Sequence, residues 1–234
     1  HGEYERSDMV EYFAEKLDGV SVTSKGWVLS YGTRAYRPPI IFGALGRPAP
    51  MGLEEITYAQ SLTSKPVKAI LSGPVTMLAW SFVRPDISRA HVSEEMALCL
   101  QDEIREYETK GIKIVQVDEP AFRELVPLKK RDQKSYFRWA IRSFSLATNT
   151  DPKTQIQTHM CYSSFQDIIE EINELDYDVL LMECSRSKEE AIRLFQKNKN
   201  HKQIGLGLWD VHSPEIPQVK EMKEILRRCL KYIP

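Results

Sequence analysis

Apolar residues recur along this chain in two periods that take turns. Helical spacing appears first over residues 7–17, where Met9, Val10, Phe13 and Leu17 fall on one face and Ser7 is placed to cap. It returns over residues 93–110, with Glu94 and Glu95 in the first turn and Gly111 past the end. Residues 134–147 put Phe137, Ile141 and Phe144 on one face, and residues 163–175 and 218–231 repeat the pattern. Ser187 and Glu190 have capping-box spacing for one more helix. Between these lie short apolar runs at residues 67–72, 112–117, 178–183 and 204–208, which read as buried strands, and residues 155–159, which also read as a strand. Residues 27–31 are β-like, and the Pro38-Pro39 pair ends any regular element there. No repeat or low-complexity linker interrupts the series. Strands and helices in alternation predict a parallel sheet with crossover helices.

A barrel is favoured over an open sheet by what stands at the strand ends. Glu3, Asp118, His159, Glu183 and Asp210 stand at the C-terminal end of one expected strand after another, and barrel enzymes build their sites from such a ring at the C-terminal ends of the strands. A doubly wound sheet would more often carry a Gly-rich loop after its first strand, and Gly43 to Gly46 lacks that pattern. The expectation is an α/β protein of the (β/α)8 TIM-barrel type, with residues 1–234 as a single domain.

Composition narrows the field of functions. A chain of 234 residues that is 42% hydrophobic can bury a sizeable core. Its 32 basic and 33 acidic residues are interspersed and leave a net charge of −1, so nothing calls for nucleic acid or an anionic membrane as partner. No apolar stretch is long enough to span a bilayer, and no signal peptide is read. Cys99, Cys161, Cys184 and Cys229 are scattered and do not form a disulfide framework, which points to a reducing, cytoplasmic setting.

Chemistry concentrates in Thr158-His159-Met160-Cys161 and in Glu183. Side chains on a strand alternate faces, so His159 and Cys161 lean the same way if the strand continues through Cys161. Val179, Leu181 and Glu183 likewise share a face, and Glu183 is a carboxylate at the end of a buried run. Imidazole, thiolate and carboxylate make a zinc donor set. A His beside a Cys is equally compatible with plain packing. Cys184, next to Glu183, points to the opposite face and reads as packing. Cys99 and Cys229 sit at apolar helical positions and read as buried thiols, and His1, His91 and His201 as surface or terminal residues.

Eight sequence words in order carry a resemblance. They are His1-Gly2-Glu3-Tyr4-Glu5-Arg6, Gly26-Trp27-Val28-Leu29-Ser30-Tyr31-Gly32, Tyr58-Ala59-Gln60-Ser61-Leu62-Thr63, and Gly73-Pro74-Val75-Thr76 with Trp80-Ser81-Phe82. Then come Val117-Asp118-Glu119-Pro120-Ala121, Thr158-His159-Met160-Cys161-Tyr162, Glu183-Cys184-Ser185-Arg186-Ser187 and Trp209-Asp210-Val211-His212-Ser213-Pro214. Together they resemble the C-terminal catalytic barrel of the cobalamin-independent methionine synthase family. The resemblance implies zinc-dependent transfer of a methyl group from 5-methyltetrahydropteroyl-polyglutamate to L-homocysteine, giving methionine. It implies Zn2+ held by His159, Cys161 and Glu183 together with a second Cys. It implies Glu3 and Asp118 at the amino-acid end of homocysteine, Arg34, Ala35, Trp80 and Glu124 at the methyl-folate, and His212 as proton donor.

The chemistry suits these parts. An unperturbed thiol has a pKa of about 8.5 and is a poor nucleophile at neutral pH, and zinc coordination deprotonates it. The leaving group is an amine that must be protonated as its bond to the methyl breaks, a task for a His. Measured against the family pattern, the chain lacks the first strand, most of the second, and the last strand with its second zinc Cys. Six strand positions remain at most, at Glu3, Val67, Ile112, Ile156, Val179 and Ile204. An incomplete barrel of this kind is expected to be poorly active by itself. Two further readings stand beside this one: a zinc-thiolate methyltransferase with a corrinoid or other methyl donor, and an inactive truncated barrel. Trp80 and Phe82 could also be ordinary core, Arg34 a solvated loop charge, and Asp118-Glu119-Pro120 a plain strand exit.

Overall fold

The computed structural model describes residues 6–30, 33–160, 167–183, 202–210 and 213–231. Five parallel strands form its centre: β5 (Lys68–Ser72), β7 (Ile114–Asp118), β8 (Gln155–His159), β9 (Val179–Glu183) and β10 (Gln203–Gly207). Their spatial order is their chain order, β5-β7-β8-β9-β10. A doubly wound sheet reverses direction at a switch point, whereas a barrel adds each strand beside the last. The observed order is the barrel one, and the sheet is an open arc among the described residues.

The sheet has two chemically different faces where β5, β7 and β8 meet. Register pairs Ser72 with Asp118, Gln116 with Gln157, His159 with Leu181 and Glu183 with Gly207. Period two therefore puts Lys68, Gln116, Asp118, Gln157, His159 and Glu183 on one face. Ala69, Leu71, Val115, Val117, Ile156, Leu180 and Met182 occupy the other and are buried. That apolar face is covered by helices, as crossover connections require. The long pair α4 (Arg89–Thr109) and α5 (Lys130–Thr148) packs together and buries Met96, Leu100, Ile104, Phe137 and Phe144. Two shorter helices, α3 (Pro74–Ala79) and α6 (Ile169–Glu174), and a later one, α7 (Val219–Cys229), are also among the described elements.

The helices and strands start and stop close to where periodicity places them, with physical reasons for the shifts. The first helix, α1 (Met9–Ala14), is capped by Asp8 and not Ser7: the Asp8 carboxylate accepts from the Val10 and Glu11 N–H groups at 2.8 and 3.2 Å. The helix expected from residue 93 begins at Arg89 because Ser88 caps it, accepting from His91 N–H. Cys99 and Cys229 are free, buried thiols, and His91 is exposed, as read. The start at Glu3 and the capping box at Ser187 and Glu190 lie outside the described residues, as do His1, His201 and Cys184.

One part of the architecture was not in the alternation. Between α1 and the central sheet, β1 (Asp18–Ser21) pairs antiparallel with β4 (Ile40–Gly46), which pairs parallel with β6 (Phe82–Val83). A small hairpin of β2 (Val28–Leu29) and β3 (Ala35–Tyr36) precedes β4, and α2 (Leu53–Ser61) follows it. Gly19 makes the β1–β4 pairing possible. Its φ is +77°, and a Cβ there would stand 2.2 Å from the Ala44 carbonyl oxygen. The register slips at this point, as at a bulge.

Candidate active site

The C-terminal ends of β5, β7 and β8 are stitched together by backbone. Gly73 N–H donates to the Asp118 carbonyl at 2.7 Å, and Glu119 N–H donates to the His159 carbonyl at 3.0 Å. These bonds hold Asp118 and His159 at the same rim. Asp118 accepts from the Gln116 side-chain amide at 2.8 Å. His159 places Nδ1 2.9 Å from the Leu181 carbonyl. A carbonyl can only accept, so Nδ1 carries a proton, and in the neutral ring Nε2 is the nitrogen with the lone pair. Metal-ligating histidines are commonly oriented in this way. Glu183 stands two residues beyond Leu181 on the same face of the neighbouring strand, exposed at the rim.

Thus two of the three expected zinc ligands in this chain, His159 and Glu183, share one rim and face. Cys161 lies outside the described residues, and β8 ends at His159. Among the described residues no group of three His, Cys, Asp or Glu is poised to hold a metal ion. Asp210, half-buried beyond β10, accepts through its carbonyl from Ser213 N–H. Glu3 and His212 also lie outside the described residues.

Of the four residues expected at methyl-folate, Trp80 and Glu124 are in contact, and Arg34 and Ala35 precede a residue that packs on Trp80. Trp80, just past α3, donates from its indole N–H to Glu124 at 3.1 Å. Tyr36 packs its ring against Trp80 at 5.9 Å between centroids, and follows Ala35 on β3, with Arg34 just before the strand. The Tyr36 hydroxyl is held above its ordinary range by burial and by the carboxylates of Asp8 and Glu124. Burial raises the Asp8 carboxyl overall, against the Glu11 and Val10 N–H groups and the Arg34 charge, which draw it down. Phe82 is exposed, whereas Trp80 is half-buried and packs one side against the core. Glu124 also lines an open cleft of about 760 Å³ with Arg123, Gln133, Asp167 and Glu171, within the usual size range of small-molecule sites.

Three features at this rim escaped the sequence reading. Tyr36 is one. Glu119 is the second: it is fully buried and accepts from Val75 N–H at 3.0 Å, Thr76 N–H at 2.8 Å and the Thr76 hydroxyl at 2.7 Å. It ties β7 to the start of α3, and any side chain at Gly73 would meet its carboxylate at 2.3 Å. The third is a polar layer below the rim. The Lys68 ammonium donates to the side-chain oxygen of Gln116 and, at 3.1 Å, to that of Gln157. Burial lowers the Lys68 pKa, and the Asp118 charge opposes that shift. Part of the signal for this layer was available: Lys68 and Gln116 are polar within otherwise apolar runs.

The catalytic-domain family of cobalamin-independent synthases matches residues 1–234 of this sequence. The chain belongs to that family. Among curated relatives, the 5-methyltetrahydropteroyltriglutamate–homocysteine methyltransferase of Thermotoga maritima is 56% identical over 235 aligned residues, covering all of this chain and 32% of the relative. The enzyme of the same name from Coxiella burnetii is 53% identical and is covered to 30%. The chain thus spans about a third of the length of these relatives. Two solved structures share its fold. A B12-independent methionine synthase from Shewanella sp. W3-18-1, in complex with selenomethionine, superposes with a TM-score of 0.79 at 23% identity, covering 96% of this chain and 68% of that one. A putative vitamin-B12-independent methionine synthase from Listeria monocytogenes gives 0.71 at 16%, covering 94% and 68%. Membership in the cobalamin-independent synthase family agrees with the strand order seen here. No described helix is long and apolar enough to cross a membrane.

Proposed function

We propose that this chain forms the catalytic part of a methyltransferase that moves the methyl group of 5-methyltetrahydropteroyl-polyglutamate to L-homocysteine, giving methionine. The observation that carries the reading is 56% identity, along the whole chain, to a relative of that name. The rim supports it, since Asp118, His159 and Glu183 stand on one face and the Trp80–Glu124 pair stands nearby.

In this reading the Asp118 carboxylate, with Glu3, grips the α-ammonium of homocysteine, a charge-assisted pairing that fixes the thiol end. Trp80 offers a flat face to the pterin and aryl rings, and Glu124, pinned by the indole N–H, accepts from pterin donors. Arg34 and Ala35 border the same ligand. His159 and Glu183, joined by Cys161, would hold Zn2+. The donor set fits, because the Nδ1–Leu181 hydrogen bond leaves Nε2 as the coordinating nitrogen. When bound, the ion would lower the thiol pKa so that the sulfur is a nucleophile at neutral pH. The sulfur–carbon bond forms as the carbon–nitrogen bond breaks, and His212 delivers a proton to the departing amine nitrogen.

The test is zinc content beside methyl transfer, for the native sequence and for His159→Ala. About one zinc per chain, lost in the variant together with methionine formation, is the expected result. Turnover without metal, or metal retained in the variant, would overturn the assignment. Supplying a methyl-corrinoid in competition separates the donors: methyl-folate polyglutamate should be consumed and the corrinoid left unchanged.

A further inference from the structure

The layer below the rim is unusual for a barrel interior, which bulky aliphatic side chains normally fill. Here Lys68 on β5, Gln116 on β7 and Gln157 on β8 meet on the inner face. Their hydrogen bonds have a fixed direction. An ammonium only donates, so the Lys68 contacts turn the side-chain oxygens of Gln116 and Gln157 toward it. With its oxygen held there, the Gln116 amide must present N–H to the other side. It donates to Asp118 Oδ1 at 2.8 Å. The Gln157 amide likewise donates to Gln155 at 2.7 Å. The chain of donors therefore runs from the Lys68 ammonium through the Gln116 amide to the Asp118 carboxylate. Such an arrangement fixes the rotamer of the Asp118 carboxylate. Gln116 is itself buried, so it has little freedom to turn away.

We propose that Gln116 and Lys68 are positioning residues that set the Asp118 carboxylate for the ammonium group of an amino-acid substrate, and so for discrimination in favour of an α-amino group. The proposal rests on the reading of Asp118 as the homocysteine contact. Neither residue touches substrate; both act through Asp118. A merely structural role would affect stability and the overall rate. A positioning role shows instead in the Michaelis constant of one substrate and in selectivity for one functional group.

The experiment compares Gln116→Met, Gln116→Glu and Asp118→Asn in the polypeptide that carries this chain. It measures kcat and KM for homocysteine and for methyl-folate separately, and turnover of 4-mercaptobutanoate, which is homocysteine without the amino group. Gln116→Met removes the donor at nearly constant volume. Gln116→Glu keeps an acceptor for Lys68 but sets a carboxylate against Asp118, so it tests the same step if the first variant fails to fold. Both should raise the homocysteine KM about ten-fold or more, as loss of a hydrogen bond to a charged group implies. Methyl-folate KM should hold, and preference for homocysteine over 4-mercaptobutanoate should fall by the same factor. If Asp118→Asn leaves the homocysteine KM unchanged, the reading of Asp118 fails and the inference falls with it. If Asp118→Asn raises that KM while a folded Gln116 variant does not, the inference alone is overturned.

Discussion

Burial lifts the Glu119 carboxyl from an ordinary 4.5 to about 7, although Thr76 and the Val75 and Thr76 N–H groups all donate to it and pull it down. Raised in the folded state, this group binds its proton more readily there than in the unfolded chain. Its contribution to stability is therefore greatest below about 4.5 and is lost as pH climbs through about 7, a change of about 3 kcal/mol. Urea unfolding at pH 5 and pH 7.5 should show that decline, and Glu119→Gln should flatten it. An unchanged slope in the variant would place the pH dependence elsewhere. At the folate side, Trp80→Ala should raise the methyl-folate KM at least ten-fold and leave homocysteine nearly unaffected, because it removes both an aromatic face and the donor to Glu124. Steady-state kinetics with each substrate varied in turn checks this. The rim residues that could be read from the sequence were those where polarity breaks an apolar run at its end, such as Asp118 and Glu183, and His159, by its two-residue spacing from Cys161. Tyr36 gave no such signal, since an aromatic on a short strand looks like core, and Glu119 was hidden because adjacent strand residues face opposite ways.

The elements read well where one period runs long enough to accumulate. The α4 and α5 helices and the five inner strands lie close to their expected spans. The β1–β4–β6 sheet did not emerge, because β4 has three small residues, Gly43, Ala44 and Gly46, that blur alternation. The pairing partners β4 and β6 lie about forty residues apart in sequence, beyond the reach of any local pattern. Gly19 sits at the slip of this sheet, with a backbone that side chains avoid and no room for a Cβ beside Ala44. Gly19→Ala should destabilise the protein by roughly 2 kcal/mol or more, combining backbone strain with displacement of β4. Thermal unfolding of the variant measures it. A Tm within about one degree of the native value would mean that the β1–β4 pairing adds little to the fold.

Taken as a whole, the molecule places its apolar surface and its chemistry on opposite sides of one sheet. Helices cover the outer face, and the inner face carries Lys68, Gln116, Gln157 and the rim. In a closed barrel that inner face is packed and every strand is paired on both sides. Here, among the described residues, β5 and β10 each pair on one side. Edge strands with unpaired backbone invite association with other chains, and an inner face open to water weakens every charge interaction that the proposed site depends on. The 234-residue chain by itself should therefore show concentration-dependent association in sedimentation velocity. It should also form methionine far more slowly than the longer T. maritima relative, of which it matches 32%. A monomeric chain that transfers methyl groups at a rate close to the relative's would show that five strands and their helices already hold Asp118, His159 and Glu183 in working order. The rigidity of the rim would then have to come from the backbone bonds at Gly73 and Glu119, without help from barrel closure.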